Sequence, residues 1–595
     1  MEKSLFENLI AILNEYRWRF LKSFLLVLFS NCLLILNPMI FRQAVQSLDR
    51  QSQPSSGLLA STLSAVFGSY TTSIWLWASL LITISLLSAI FKYYMRYGFI
   101  SISRDAERAV RSKLFDRIQN QSASFYDRHG IGELLSRLTN DISAYRDVLG
   151  PGIMYPLFFL TIVVPGLIAL FSISKTLAAI SLIPLITIPI LNAVSRSKMF
   201  RVSLLVQKGL GDLSNIVQEH FSEIRIVKSY VIEPFLESRF FKFCKEQIVL
   251  NVKLACYQGM LYPFFTALTK IITVVLVMFS SYIILNAWGT LSVADFVSFM
   301  WIQSYIFFPV LMLAWVIPVY ERGRAAYGRL VEIYEEPIEV QPGKDRSLRF
   351  APLADLTFAH LCFSYPHSSQ KVLDDINLTI KGGSYVGITG PIGAGKSTLF
   401  RLLNREYEIP AGNIIIGGRD IHDYPFEAFY EEIVTVEQIP FLFSRTIAEN
   451  VRFGREEASF QDVEVVAQYA DLHETVQGFP EGYDTVIGER GITLSGGQRQ
   501  RLAMARAFLV NRSVLLLDDI FSAVDAATEK RIFKSMKEKF KDKTILLITH
   551  RAAILEQMDR VIFMKEGKVI EDGPPAELLS KKGHYAALVE LQRLG

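Results

Sequence analysis

Apolar positions form long unbroken runs before about residue 320 and short ones after it. Six long runs, at about 20–41, 73–91, 150–173, 176–195, 265–286 and 295–318, can each cross a hydrocarbon core about 30 Å thick at 1.5 Å per residue. The second has no charge between Ser73 and Phe91, and only a few residues around Ser174 and Lys175 part the third from the fourth. Ahead of them, residues 5–17 put Leu5, Leu9, Ile10 and Leu13 on one face and Glu7, Glu15 and Arg17 elsewhere, which predicts an interfacial amphipathic helix.

The polar stretches between the runs alternate in character. Those after the first, third and fifth runs are short or poor in cations. Those after the second and fourth are long and basic, the former carrying Arg104, Arg108, Arg111, Lys113, Arg117, Arg128, Arg137 and Arg146. An excess of Lys and Arg marks cytoplasmic loops, so both long loops and the N-terminus are expected in the cytoplasm. Ala106, Val110, Leu114 and Ile118 recur at every fourth position and predict a helix that continues the second span to about Ser122, roughly 45 Å beyond the membrane. Gly130 and Gly132 interrupt it, and Glu133–Asp141 begins the return; Glu219–Arg239 forms the tip of the second long loop.

A stretch rich in charge, Pro and Gly, Glu335–Asp345, marks a linker. Beyond it, strand-length apolar runs alternate with helical patterns, as in an α/β domain. Tyr385–Thr389 reads as a buried strand and Thr398–Asn404 as a helix. Between them lies Gly390-Pro391-Ile392-Gly393-Ala394-Gly395-Lys396-Ser397-Thr398, which satisfies G-x-x-x-x-G-K-[ST]. Glycines let backbone N–H groups close around phosphates, Lys396 can reach the β/γ oxygens and the Ser397 hydroxyl can ligate Mg²⁺. Ser513–Asp518 and Ile545–Thr549 are two further buried strands, which deliver Asp518 and His550 to one sheet edge.

Composition agrees with a membrane protein: of 595 residues, 51% are hydrophobic and 20% charged. The net charge of +4 gives no case for nucleic acid as a partner. Cys32, Cys244, Cys256 and Cys362 show neither CxxC nor zinc spacing and read as ordinary thiols. Trp301, Gln303, Tyr305, Phe308 and Trp315 in the sixth run suit an amphipathic ligand or packing between helices. Lys270 reads as a cation near the inner boundary that can snorkel or face a cytoplasmic cavity, the alternative being an intramembrane charge that contacts substrate.

Phe125–Asp141 and Gln218–Tyr230 resemble the two cytoplasmic loops of ABC exporters, whose tips hold coupling helices that sit on the nucleotide-binding domains. The ATPase motifs follow in that family's order. The resemblance implies that Tyr365 stacks on adenine, that Gln438 senses Mg²⁺ and the attacking water, and that Glu489 contacts a coupling helix. Leu494-Ser495-Gly496-Gly497-Gln498 matches the signature, which closes over ATP held by a second subunit; Ser522 and Asp525 match the D-loop. Asp518, Ser397 and Gln438 would serve Mg²⁺, and His550 would contact the γ-phosphate. One position departs from the pattern. Asp519 stands where catalytically complete members have a glutamate that polarises water, and its carboxylate ends about an ångström short.

The resemblance thus implies an exporter half-transporter: a six-helix transmembrane domain over 1–335, a linker over 336–350, and an α/β P-loop ATPase domain over 351–595. Its cofactors would be ATP and Mg²⁺, with catalysis drawing on Asp519, His550 and Gln438. It would sit in a bacterial plasma membrane with the ATPase domain cytoplasmic, and export hydrophobic or amphipathic small molecules together with a second, different half-transporter. Asp519 would make this chain's ATP site degenerate. The alternatives are a homodimeric lipid exporter and a nucleotide-gated channel or regulator. No peptidase-like stretch precedes the first span, which argues against dedicated peptide secretion.

Overall fold

The computed structural model describes residues 14–48, 74–286, 291–351, 353–366, 368, 370–488 and 494–594. Most of the expected interfacial helix at 5–17, and Glu489, lie outside them. The chain forms two compact units. One comprises the chain up to Ile118 with Gly132–Glu336; the other joins Gln119–Ile131 to Pro337–Gly595.

The first unit is built of long helices: Arg17–Leu48, Ile74–Gln119, Pro151–Ile173, Lys175–Ser222, Glu233–Leu285 and Val293–Glu335. Among the described residues, five helical stretches are long and apolar enough to cross a membrane. The expected fourth span falls in Lys175–Ser222, whose described apolar stretch, Lys175–Leu191, is shorter. Glu233–Leu285 has 53 residues, about 80 Å of helix, which leaves some 50 Å beyond a 30 Å hydrocarbon core. The second helix runs to Gln119 as its four-residue spacing predicts, with Ala106, Leu114 and Ile118 buried and Val110 half-buried. The return contains a π-helical turn, Arg137–Asp141, where the nearly buried Arg137 pairs with Glu133 and, at 3.0 Å, with Glu332. Asp141 takes a two-pronged bond from Arg329.

Within the apolar layer, polar side chains bridge helices: Asn31 Nδ2 donates to Thr161 Oγ1 at 2.8 Å and Asn37 Nδ2 to Ser85 Oγ at 2.9 Å. Such bonds are enthalpically favoured where water is scarce. Trp301 stands edge-on to Phe41 at 5.7 Å and donates its indole N–H to Tyr305, and Trp315 stands edge-on to Tyr155 at 5.8 Å. Helix-to-helix aromatic packing therefore occupies part of the wall read from the sequence.

The second unit carries two sheets. An antiparallel one runs in the order β2 (Leu373–Ile380), β1 (Leu356–Phe363), β4 (Ala411–Ile416) and β5 (Arg419–Asp420). The other runs β10 (Lys568–Gly573), β9 (Arg560–Lys565), β3 (Tyr385–Thr389), β8 (Thr544–Ile548), β7 (Val514–Asp518) and β6 (Ile433–Val436). It is parallel except for β10. All of β3 and β8 is buried, as is β7 up to its last residue, because helices cover both faces of a parallel sheet. The linker is tied to this unit through Arg405, 3% exposed, which donates to the carbonyls of Gln341 at 2.7 Å and Tyr424 at 2.8 Å.

Candidate nucleotide site

Register brings the phosphate loop and its partners to one edge. Ile388 of β3 lies beside Ile548 of β8, and Ile548 beside Asp518 of β7, so Thr389, Asp518 and Thr549 leave the sheet together. Val436 lies beside Leu517, which sets Gln438 two residues past the same edge. Loops at the C-terminal ends of parallel strands are where an open α/β sheet binds its ligand.

The loop itself is a nest of left-handed glycines, Gly390 (φ 141°), Gly393 (φ 82°) and Gly395 (φ 92°), which opens the helix Lys396–Leu403. A Cβ on Gly390 would lie 1.9 Å from the Met564 carbonyl oxygen, so only glycine passes there. Lys396, 8% exposed, donates to the carbonyls of Gly390 at 2.7 Å and Pro391 at 2.9 Å, so its ammonium stays inside the loop. Burial lowers its pKa, against the pull of Asp518 and Asp519. Ile392, by contrast, is almost wholly exposed.

Asp518 and Asp519 sit side by side. Burial raises the Asp518 carboxyl above its ordinary range, opposed by a hydrogen bond from Ser397 and by Lys396. Burial and the neighbouring Asp518 raise Asp519, opposed by Arg551, Lys396 and Gln438. Gln438 Nε2 donates to Asp519 Oδ2 at 3.2 Å. Asp519 is held in the left-handed region (φ 44°), which aspartate tolerates better than most residues, and its N–H donates to Ile548 O at 2.9 Å. Burial lowers the His550 pKa, and Lys396 adds to it, so the imidazole is neutral and able to accept or donate.

Two carboxylates at the end of β7, beside the serine and lysine of the glycine loop, fit Mg²⁺ and a polyphosphate. Among the described residues no three His, Cys, Asp or Glu side chains could hold a metal alone. That suits Mg²⁺, which takes one or two carboxylates and completes its shell with phosphate and water.

Tyr365 is half-buried against the antiparallel sheet's core, and its hydroxyl shares a 3.0 Å hydrogen bond with Thr398 Oγ1. The signature starts a helix, Gly496–Val510: Ser495 Oγ accepts from Gln498 N–H at 3.3 Å, and Gln498 Oε1 accepts from Ser495 N–H at 2.8 Å. Leu494 is buried beneath it. Among the described residues no hydrogen bond or ion pair links Leu494–Gln498 to Gly390–Thr398. Asp525 caps the helix Ala526–Lys539 through Ala527 and Thr528 N–H, which hold its carboxyl low.

Three side chains absent from the sequence reading hold these loops. Gln500, 4% exposed, donates to Gln438 O at 3.2 Å and Ser522 Oγ at 2.8 Å and accepts from Ala523 N–H, so one amide joins the segment of Gln438 to that of Ser522 and Asp525. Arg551 donates to Phe521 O and Val524 O, each at 2.7 Å, and pairs with the buried Glu529. Gln592 donates to His550 O at 2.5 Å. Gln500 and Arg551 flank recognisable motifs, but no local pattern announces what they bind.

The family model of the ABC transporter transmembrane region matches residues 20–310, and that of the ABC transporter matches 373–522. Among curated relatives, the uncharacterised ABC transporter ATP-binding protein YwjA of Bacillus subtilis (strain 168) is 34% identical, over 85% of this chain and 88% of its own. The probable multidrug resistance ABC transporter ATP-binding/permease protein YheI of the same organism is 32% identical, over 85% and 86%. An ATP-dependent lipid A-core flippase of Syntrophus aciditrophicus (strain SB) is 31% identical, over 81% and 80%. A bacterial Atm1-family ABC exporter solved with ATP bound superposes with a TM-score of 0.76, covering 97% of this chain and 98% of that one at 24% identity, a likeness of fold. The chain belongs to the ABC transporter family: a multi-pass membrane region followed by the transporter's ATPase domain.

Proposed function

We propose that this chain is one half of an ATP-driven exporter of hydrophobic or amphipathic small molecules in a bacterial plasma membrane, with its ATPase domain in the cytoplasm. Its own ATP site holds nucleotide more than it turns it over. The observation that carries this reading is Asp519, next to Asp518 at the sheet edge and bonded to Gln438, at the position where the family resemblance expects a glutamate to polarise water. General-base chemistry is intolerant of an ångström.

In this reading Gly390–Thr398 and Tyr365 bind ATP, Ser397, Asp518 and Gln438 hold Mg²⁺, and His550 faces the γ-phosphate. Bound Mg²⁺ would neutralise phosphate charge. Leu494–Gln498 serves the nucleotide of a second half-transporter, which supplies the site with a complete base. The tip helix Ile224–Tyr230 supports a second half, since Ile224, Ile226 and Tyr230 are 42%, 50% and 74% exposed, an apolar cluster that water would not favour. The multidrug and flippase relatives both suit a hydrophobic cargo.

The test is to purify the full-length chain alone and measure steady-state ATP turnover in lipid. The proposal expects turnover near background, restored when a second half-transporter that has a glutamate at this position is co-expressed and co-purified. Brisk, lipid-stimulated hydrolysis by the chain alone favours the homodimeric lipid exporter; ATP-gated ion current without turnover favours a channel.

A further inference from the structure

The hydroxyl of Tyr365 is already occupied, at 3.0 Å from Thr398 Oγ1, with Arg401 approaching at 3.5 Å. Thr398, 6% exposed, is the third residue of the helix that the phosphate loop opens, within the Gly390–Thr398 stretch read above as binding ATP. Tyr365 therefore ties down a side chain of the stretch assigned above to the nucleotide.

The Tyr365 ring does not stand alone. It meets Tyr407 edge-on, centroids 5.3 Å apart at 87°. Tyr407 is 3% exposed, and its hydroxyl donates to the Asp127 carboxylate. Asp127 belongs to the six-residue helix Ala123–Arg128, which packs with the ATPase unit. Ala123 N–H donates to Glu406 O at 3.1 Å, and Glu339 of the linker accepts from Arg128 at 2.9 Å and from the Ser124 hydroxyl. Beside these groups lies a cavity of about 490 Å³, lined by Ser124, Asp127, Arg128, Tyr365 and Pro366. The ring has room to move on that side.

We propose that Tyr365 is a latch that nucleotide displaces, and that Tyr407 and Asp127 carry the displacement to the helix Ala123–Arg128. This rests on the nucleotide-site reading above. ATP and Tyr365 compete for the Thr398 hydroxyl, so filling the loop frees the ring. Tyr407 is packed against that ring and bonded to Asp127, and close-packed interiors pass such a shift on rather than absorb it. Tyr407 and Asp127 are positioning residues, since neither touches the nucleotide. The consequence is specific to a site that holds ATP: occupancy alone, without hydrolysis, is reported to the loop of the same chain.

The test uses the full-length chain in the oligomer it forms, with radiolabelled ATP and EDTA to suppress turnover. Tyr365→Phe keeps the stacking ring and loses the latch, so it is expected to bind ATP about 2- to 10-fold tighter than wild type, the worth of one neutral hydrogen bond. Hydrogen exchange over residues 119–131 is expected to change on ATP addition in wild type. Tyr407→Phe, nearly isosteric, should leave ATP affinity unchanged and lose most of that exchange response; Asp127→Ala should do the same by removing the acceptor. Equal or weaker ATP binding by Tyr365→Phe overturns the latch. An exchange response that survives both Tyr407→Phe and Asp127→Ala overturns the relay. Normal ATP binding by Lys396→Ala instead overturns the nucleotide-site reading itself.

Discussion

At position 519, burial and the adjacent Asp518 push the carboxyl upward, against Arg551, Lys396 and Gln438. An acid whose folded pKa exceeds its unfolded one binds more protons when folded. Its ionised form therefore costs stability at neutral pH; that cost begins to shrink as pH falls below the folded pKa and is gone below the unfolded one. Asp519→Asn, which also suits the left-handed backbone, is expected to raise the melting midpoint of the nucleotide-free protein at neutral pH. Scanning fluorimetry across pH should show the gain shrinking in acid; a gain independent of pH would assign it to another cause. At Tyr365, replacement by Ala removes latch and stack together. ATP affinity should fall by roughly 1–3 kcal/mol while Trp is tolerated, and equal affinities for the two variants in a binding titration would move the adenine contact elsewhere. The residues proposed to bind phosphate and Mg²⁺ were legible because loop chemistry is local: glycines, a lysine and a strand-end carboxylate announce themselves. Gln500, Arg551 and Gln592 were not, because each acts on a loop distant in sequence or through backbone carbonyls that carry no residue identity.

Among elements, the signature helix meets a firm steric limit. A Cβ on Gly497 would lie 2.7 Å from the backbone oxygen of Ala523, so helix start and D-loop touch directly. Gly497→Ala is expected to shift the D-loop and cut steady-state turnover of the assembled transporter by an order of magnitude or more, as ångström displacements do. ATP labelling of this chain's Lys396 site should be spared. If labelling falls and turnover holds, the signature acts in cis. The long helices were legible from apolar run length and from the four-residue spacing of Ala106, Leu114 and Ile118. The antiparallel sheet was not: register shifts between Phe358 and Phe363 break the two-residue alternation in β1. Nor was the π-turn at Arg137–Asp141, which depends on ion pairs to Glu332 and Arg329 some 190 residues away.

For the whole molecule, the division into a membrane region and an ATPase domain was visible in where the long apolar runs stop. The place of Gln119–Ile131 in the ATPase unit does not show in those runs; only the resemblance of Phe125–Asp141 to an exporter loop pointed to it, and Tyr407 and Glu339 meet that helix once the chain has folded. The central claim is that turnover belongs to a composite site built from the second half's phosphate loop and this chain's Ser495-Gly496-Gly497, while Lys396, Ser397, Asp518 and Asp519 hold ATP. Steady-state ATPase of the purified two-subunit transporter carrying Asp519→Ala tests it most directly. The account predicts turnover close to wild type. A loss of more than about 100-fold, near 2.7 kcal/mol of barrier, would make Asp519 a working base and contradict it.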